Sequence, residues 1–311
     1  MALRLRARRR AAGPALAVSL AMAGVLAPLS ARASGAVAWG GDAVVERFYT
    51  TDLFPGGETR ETDWGVRGTL KPNLTFKLGG RYRLRPWVKL EAEAYDVEHE
   101  ANVQRWWTGV DLKRGGHRLR LYGGASHHEL YFPSPSGNVR FDRTEGGAEL
   151  RIEVLPQWLA QASLEYRYDD FAPIHDERDH HRVNFYTGLE RGLGQGRRVS
   201  LIHVYRHNLS TTDLYSYDQN DLRLEVVQSL TAGLSAAGEI QGGLRNYRTG
   251  RAFAANFARQ DDRWRAGLSL QRLLRAGVSA EAFGRWREID SSRDVKNSHV
   301  LETGIALSYA R

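Results

Sequence analysis

The sequence predicts an all-β fold, a transmembrane antiparallel up-and-down β-barrel of about 14 strands. Three observations carry that prediction. Apolar and polar residues alternate with a period of two through most of the chain. Short, glycine-rich connections alternate with longer, charged ones. No run of about 20 apolar residues follows the first 33 positions. Crossing helices are therefore not expected, whereas a barrel strand offers lipid an apolar side chain only at every second position.

Residues 1–33 have the layout of a secretory signal peptide. Arg4, Arg6, Arg8, Arg9 and Arg10 form a positive region, Ala15 to Leu29 is apolar, and Ala31-Arg32-Ala33 supplies a cleavage site before Ser34. The apolar stretch is too short and too alanine-rich for a spanning helix, so cleavage near Ala33 is expected rather than a retained anchor. The domain boundaries that follow are 1–33 for the leader and 34–311 for the barrel. With no cysteine in the chain, neither a disulfide scaffold nor acylation of the mature protein is expected. The formal charge of +8 includes six arginines of the leader, which contains no acid, so the mature chain carries 8 − 6 = +2. The apparent basicity thus belongs largely to the leader, and nucleic acid is not an expected partner.

Strands are expected near 38–50, 60–76, 82–96, 102–113, 117–127, 138–154, 159–170, 180–191, 197–208, 219–230, 233–247, 257–272, 276–288 and 296–310. The second is the weakest, since Pro72 removes a ladder donor. In the third, Val88, Leu90, Ala92 and Ala94 alternate with Lys89, Glu91 and Glu93. In the sixth and seventh, Leu150 and Ile152 oppose Glu149, Arg151 and Glu153, and Leu164 and Tyr166 oppose Glu165 and Arg167. The tenth sets Leu222, Leu224 and Val226 against Arg223 and Glu225. In the twelfth and thirteenth, Trp264, Ala266, Leu268 and Leu270 alternate with Arg263 and Arg265, and Ala280, Ala282, Gly284 and Trp286 with Arg285 and Arg287. Charges spaced this way would fall all round a helix and leave it no apolar face.

The connections obey the same topology. Gly79–Arg81, Lys113–Gly116, Leu155–Trp158, Arg191–Arg197, Thr231–Gly233 and Leu273–Ala276 are short and are expected on the periplasmic side. Asp52–Thr62, Glu98–Asn102, Ser126–Gly137, Phe171–Asp179, Leu209–Asn220, Arg248–Ala255 and Asp290–Lys296 are mostly longer and are expected outside. Short and long alternate without a break in phase, as an even strand count requires.

The last strand is the most specific local signal. Glu302-Thr303-Gly304-Ile305-Ala306-Leu307-Ser308-Tyr309 resembles the C-terminal β-signal of bacterial outer-membrane β-barrel, porin-like proteins. It has a polar residue at Glu302, glycine at Gly304, and hydrophobic residues at Leu307 and Tyr309; it differs in ending on Ala310-Arg311 rather than an aromatic residue. As a pattern the resemblance covers the whole mature chain. It implies an outer-membrane location, outer-membrane lipid as a partner, and the barrel-assembly machinery as a partner during biogenesis. Tyr95, Trp106, Tyr122, Tyr166, Tyr205 and Trp286 are expected in an outer aromatic girdle, and Trp87, Trp158 and Tyr309 in a periplasmic one.

The parity opposite the apolar face is expected to line the lumen. It places Arg118, Arg120, Glu149, Arg151, Glu165, Arg167, Arg223, Glu225, Arg263, Arg265, Arg285 and Arg287 inside, where charges of both signs pair across strands. The basic cluster Arg263, Arg265, Arg285, Arg287 would favour anionic solutes in a pore, while a salt-bridged wall that only stabilises the barrel is an equal reading. The favoured function is a passive diffusion channel for small polar or anionic solutes, without cofactor or metal. The alternative is a non-catalytic barrel serving export or assembly of a surface polymer or protein. A surface enzyme is disfavoured: Ser126 and His127 are adjacent and point to opposite faces of a strand, and no G-x-S-x-G elbow occurs. His175, Asp176, Glu177, Asp179, His180 and His181 read as a solvated loop rather than a metal site.

Overall fold

The computed structural model describes residues 37–51, 62–78, 81–96, 102–130, 139–171, 178–211, 215–248, 259–292 and 297–310. The leader, most of the long connections, and His175, Asp176 and Glu177 lie outside them. Fourteen strands form one sheet: β1 (Val37–Thr50), β2 (Asp63–Leu78), β3 (Tyr82–Tyr95), β4 (Val103–Arg114), β5 (His117–Leu130), β6 (Val139–Leu155), β7 (Trp158–Phe171), β8 (His180–Gly194), β9 (Arg197–Ser210), β10 (Tyr217–Thr231), β11 (Leu234–Tyr247), β12 (Gln260–Arg275), β13 (Val278–Ser291) and β14 (Ser298–Ala310). Each pairs antiparallel with its sequence neighbours, and β1 pairs with β14, from Asp42 opposite Ala310 to Thr50 opposite Glu302. The sheet is closed. Closure leaves no strand edge unpaired, which is what lets a β-sheet lie in hydrocarbon.

The expected strands match this order closely, as do the expected short turns other than Gly79–Arg81, of which Gly79 and Gly80 lie outside the described residues. Two-residue turns join β4 to β5, β6 to β7, β8 to β9, β10 to β11 and β12 to β13. Each contains a residue in the left-handed region, among them Gly115, Gln157, Gly196, Gly233 and Gly277. Strands β6, β8, β10 and β12 carry a register shift next to the turn, a bulge that raises local twist and helps the hairpin follow the curved wall. At Gly277, with φ +77°, a Cβ would also meet the Ala310 carbonyl at 2.6 Å, so this turn needs glycine twice over.

Pro72 does not interrupt the second strand. Its partner on β1 is Gly41, while the ladder to β3 passes from Leu70–Leu90 to Asn73–Trp87 and skips the proline. Inside a closed sheet the gap costs two residue pairs of one ladder, not the strand.

Parity assigns the two faces. Leu90, Trp106, Leu150, Leu164, Leu222, Leu268, Leu301, Ile305 and Leu307 are large, apolar and exposed, on the face that meets lipid. The other face is concave, so its side chains converge and reach across an intervening strand: Arg151 on β6 lies 2.8 Å from Glu190 on β8, and Tyr122 on β5 donates to Glu165 on β7 at 2.9 Å. Convex-face side chains diverge, and a bridge of this kind there joins Arg47 on β1 to Asp96 just after β3. Inside, Phe48, Tyr95, Phe283 and Ala306 form a small apolar knot, with Phe48 and Tyr95 edge to face at 5.8 Å.

The aromatic girdle is only partly as expected. Trp106, Tyr166 and Trp286 are exposed on the outward face. Trp87, Tyr95 and Tyr122 instead point inward: Trp87 donates to Asp111 at 3.2 Å, and Tyr95 donates to Glu93. The correction follows from parity, since Tyr122 shares the face of Arg118 and Arg120. Distance from a strand end alone does not say which side of the wall a ring occupies.

Candidate functional site: the charged lumen

The inner wall is a network of arginines and carboxylates. Its densest unit is Asp111 on β4, fully buried, which accepts Arg120 Nε at 2.7 Å, Arg120 Nη2 at 3.1 Å, Arg85 Nη2 at 2.8 Å and the Trp87 indole at 3.2 Å. Alternation places it there: Arg105, Trp107, Gly109, Asp111 and Lys113 share the inner face of β4. Sequence reasoning did not single out Asp111, although that parity was available to find it. Nearby, Arg67 joins Glu46 at 2.7 Å, Glu93 at 2.9 Å and Glu302 at 3.8 Å, tying β2 to β1, β3 and β14. Charged groups facing an aqueous interior with several partners avoid the cost of dry burial.

The expected lumen residues all lie on this inner parity. Arg118 pairs with Glu149, Arg120 lies 3.6 Å from Glu149, and Arg151 pairs with Glu190. Arg167 sits 3.1 Å from Glu145 and 3.4 Å from Glu165, and Arg223 is 3.1 Å from Glu225. The late arginines divide. Arg285 is held by Glu302 at 2.7 Å, and Arg263 donates to Gln219 at 2.8 Å beside Arg245, which stacks over Tyr217 at 4.2 Å. Arg265, Arg285 and Arg287 line one cavity of about 380 Å³ with Arg67, Glu239 and Glu302. The four-residue basic cluster is thus two groups with different surroundings.

The terminal β-strand segment serves both faces. Glu302 points inward to Arg285 and Arg67, while Leu307 lies outside, exposed, with Tyr309 on the same parity. Gly304 sits where strands β13, β14 and β1 meet, opposite Phe48 and Phe283; a Cβ there would lie 2.8 Å from the Phe283 ring.

Ser126 and His127 do point to opposite faces, His127 meeting Asp142 outside at 2.6 Å. Ser126 instead pairs with His128, two residues on and on its own face, at 2.8 Å, both side chains being buried. His128 stacks on Phe141 at 4.3 Å. His180 and His181 also separate: His180 lies inside, 3.0 Å from Asp169, and His181 lies outside against Tyr166 at 2.6 Å. Alternation prevents the two from gripping one ion.

The surface lipoprotein assembly modifier (SlipAM) family model matches residues 93–274, more than half of the chain and all of strands β4 to β11. The chain belongs to this family. No curated protein matches it in sequence. Solved structures with a similar fold include OmpT, an outer membrane protein of Vibrio cholerae, with TM-score 0.53, 8% identity, 89% of this chain and 100% of that one covered. A loop-deletion mutant of OmpT gives TM-score 0.51 at 9% identity with the same coverage. An outer membrane channel from Pseudomonas putida gives TM-score 0.50 at 12% identity, covering 92% of this chain and 98% of that one. At these identities the likeness is one of fold, the closed outer-membrane barrel.

Proposed function

We propose that this SlipAM family member is exported by its leader, inserted by the barrel-assembly machinery, and serves the assembly of lipoproteins at the bacterial surface. The observation that carries the reading is the family match across the central strands. It moves the assembly alternative ahead of simple diffusion. The lumen chemistry supports it: a polypeptide segment passing through has unpaired backbone groups and charged side chains, and a wall bearing both signs of charge offers them partners that a bare apolar pore would not. No catalytic step is part of this reading.

The test is surface display. A lipoprotein reporter co-expressed with the barrel should become accessible to externally added protease, and deleting the barrel gene should leave it protected inside intact cells. Equal accessibility with and without the barrel would sink the proposal.

A second reading, diffusion of small polar or anionic solutes, is favoured by the water-exposed arginine cavity at Arg265 and Arg287. Planar-bilayer recording separates the two. A diffusion channel conducts when purified alone, whereas an assembly barrel that opens only with a client stays silent.

A further inference from the structure

We propose that the lumen contains a saturable binding site for an oxyanion, a carboxylate or phosphate group, centred on Arg265 and flanked by Arg285 and Arg287. The inference goes beyond the assembly reading and holds whatever the barrel assembles.

The first argument is the register around Arg265. Its neighbours across the two ladders are Gln241 on β11 and Arg287 on β13. The Gln241 amide is committed to Asp221 at 2.8 Å. The other neighbour carries the same charge, and like charges directly opposite one another on a sheet face destabilise it. Other arginines of the wall also face an arginine, Arg118 opposite Arg151 and Arg167 opposite Arg182, but Arg118, Arg151 and Arg167 are each paired with a carboxylate as well. Arg67, Arg105, Arg120, Arg143 and Arg167 each have a carboxylate within 3.1 Å.

The second argument is the cavity itself. Arg265, Arg285, Arg287 and Arg67 line a space of about 380 Å³ together with Thr50 and Tyr95. Of its two carboxylates, Glu302 is already engaged by Arg285 at 2.7 Å and lies 3.8 Å from Arg67. Glu239 stands opposite Gly267, one residue pair away, and no ion pair joins it to Arg265 among the described residues. Arg265 is exposed although it points into the barrel. A guanidinium turned toward the lumen, with its planar fork uncommitted among the described residues, is suited to bidentate capture of a carboxylate or phosphate. Such a ligand would also balance the charge of Arg265, which the register sets opposite another arginine.

The experiment uses the full chain purified in detergent. Inorganic phosphate is titrated by isothermal calorimetry at constant ionic strength, with chloride as the balancing anion, and hexaglutamate is titrated in parallel. We expect saturable binding of at least one probe. Phosphate alone assigns the site to phosphate groups, and hexaglutamate alone to carboxylates such as those of an acidic polypeptide. Arg265→Gln should weaken that binding about tenfold or more, the loss of one charge-assisted pair. Arg265→Lys keeps the charge and should fold as the parent does, but it loses the fork and should bind severalfold more weakly. Arg47→Gln, which removes an arginine from the outward face, should bind like the parent. Non-saturable heats with both probes, or equal affinity in the parent and both Arg265 variants, would overturn the site. Because binding is measured without any client, failure here is distinguishable from failure of surface display.

Discussion

Replacing Asp111 with asparagine keeps the shape of the side chain but removes the one charge that Arg85 and Arg120 share. The carboxylate is fully buried and accepts four hydrogen bonds, three of them from guanidinium groups. Removing one partner of a buried ion pair costs about 3–5 kcal/mol. Two features reduce that figure. The arginines are 26% and 20% exposed to the lumen, and Arg120 retains Glu149 at 3.6 Å. The expected loss for Asp111→Asn is therefore about 2–3 kcal/mol. Asp96→Asn is the comparison, since Asp96 pairs with Arg47 where both are more than a third exposed; its expected cost is about 0–1 kcal/mol. The assay is urea unfolding of protein refolded into lipid bilayers, followed by the mobility of unboiled samples, with the slope against urea checked for constancy. If Asp111→Asn unfolds within about 0.5 kcal/mol of the parent, or no earlier than Asp96→Asn, the wall is not held by this buried cluster and the reasoning fails.

Ile305, 65% exposed on the lipid face, should tolerate arginine badly. Ile305→Arg is expected to cost about 2–4 kcal/mol if the site lies near the bilayer midplane, read in the same urea titration, and a neutral result would argue against a lipid-facing position. Gly304→Val should place its side chain against the Phe283 ring and the β1 backbone and reduce the yield of folded, heat-modifiable barrel in membranes; normal yield would show that the seam has slack. Arg263→Glu combined with Arg285→Glu should shift the reversal potential in planar bilayers toward cations if the barrel conducts, and an unchanged potential would count against anion preference. The parent itself should migrate differently boiled and unboiled, and identical migration would contradict a closed membrane barrel.

The barrel was legible in the sequence because its two controlling signals are local. A period of two places Leu222, Leu224 and Val226 on one face and Arg223 and Glu225 on the other, and the spacing of short turns sets the pairing order. The closing strand was also legible, since Leu301, Ile305 and Leu307 lie on the exposed face. The strand containing Pro72 looked weaker than it is, because the gap removes two residue pairs from one ladder while the ladder to β1 runs unbroken. Trp87, Tyr95 and Tyr122 were assigned to the membrane surface by proximity to strand ends, whereas parity turns them inward.

By itself, then, the sequence determined the strand count, the connection pattern and which charges face inward, because each depends on alternation along a single strand. Which inward charges find partners depends on register, curvature and closure, and only the tertiary structure decided that. Arg285 and Arg265 are alike in sequence context, yet β14 brings Glu302 to Arg285, while the ladders bring Arg265 a committed glutamine and another arginine. Ser126 likewise meets His128 rather than the adjacent His127, because the pleat separates neighbours in sequence and the concave face gathers residues two apart.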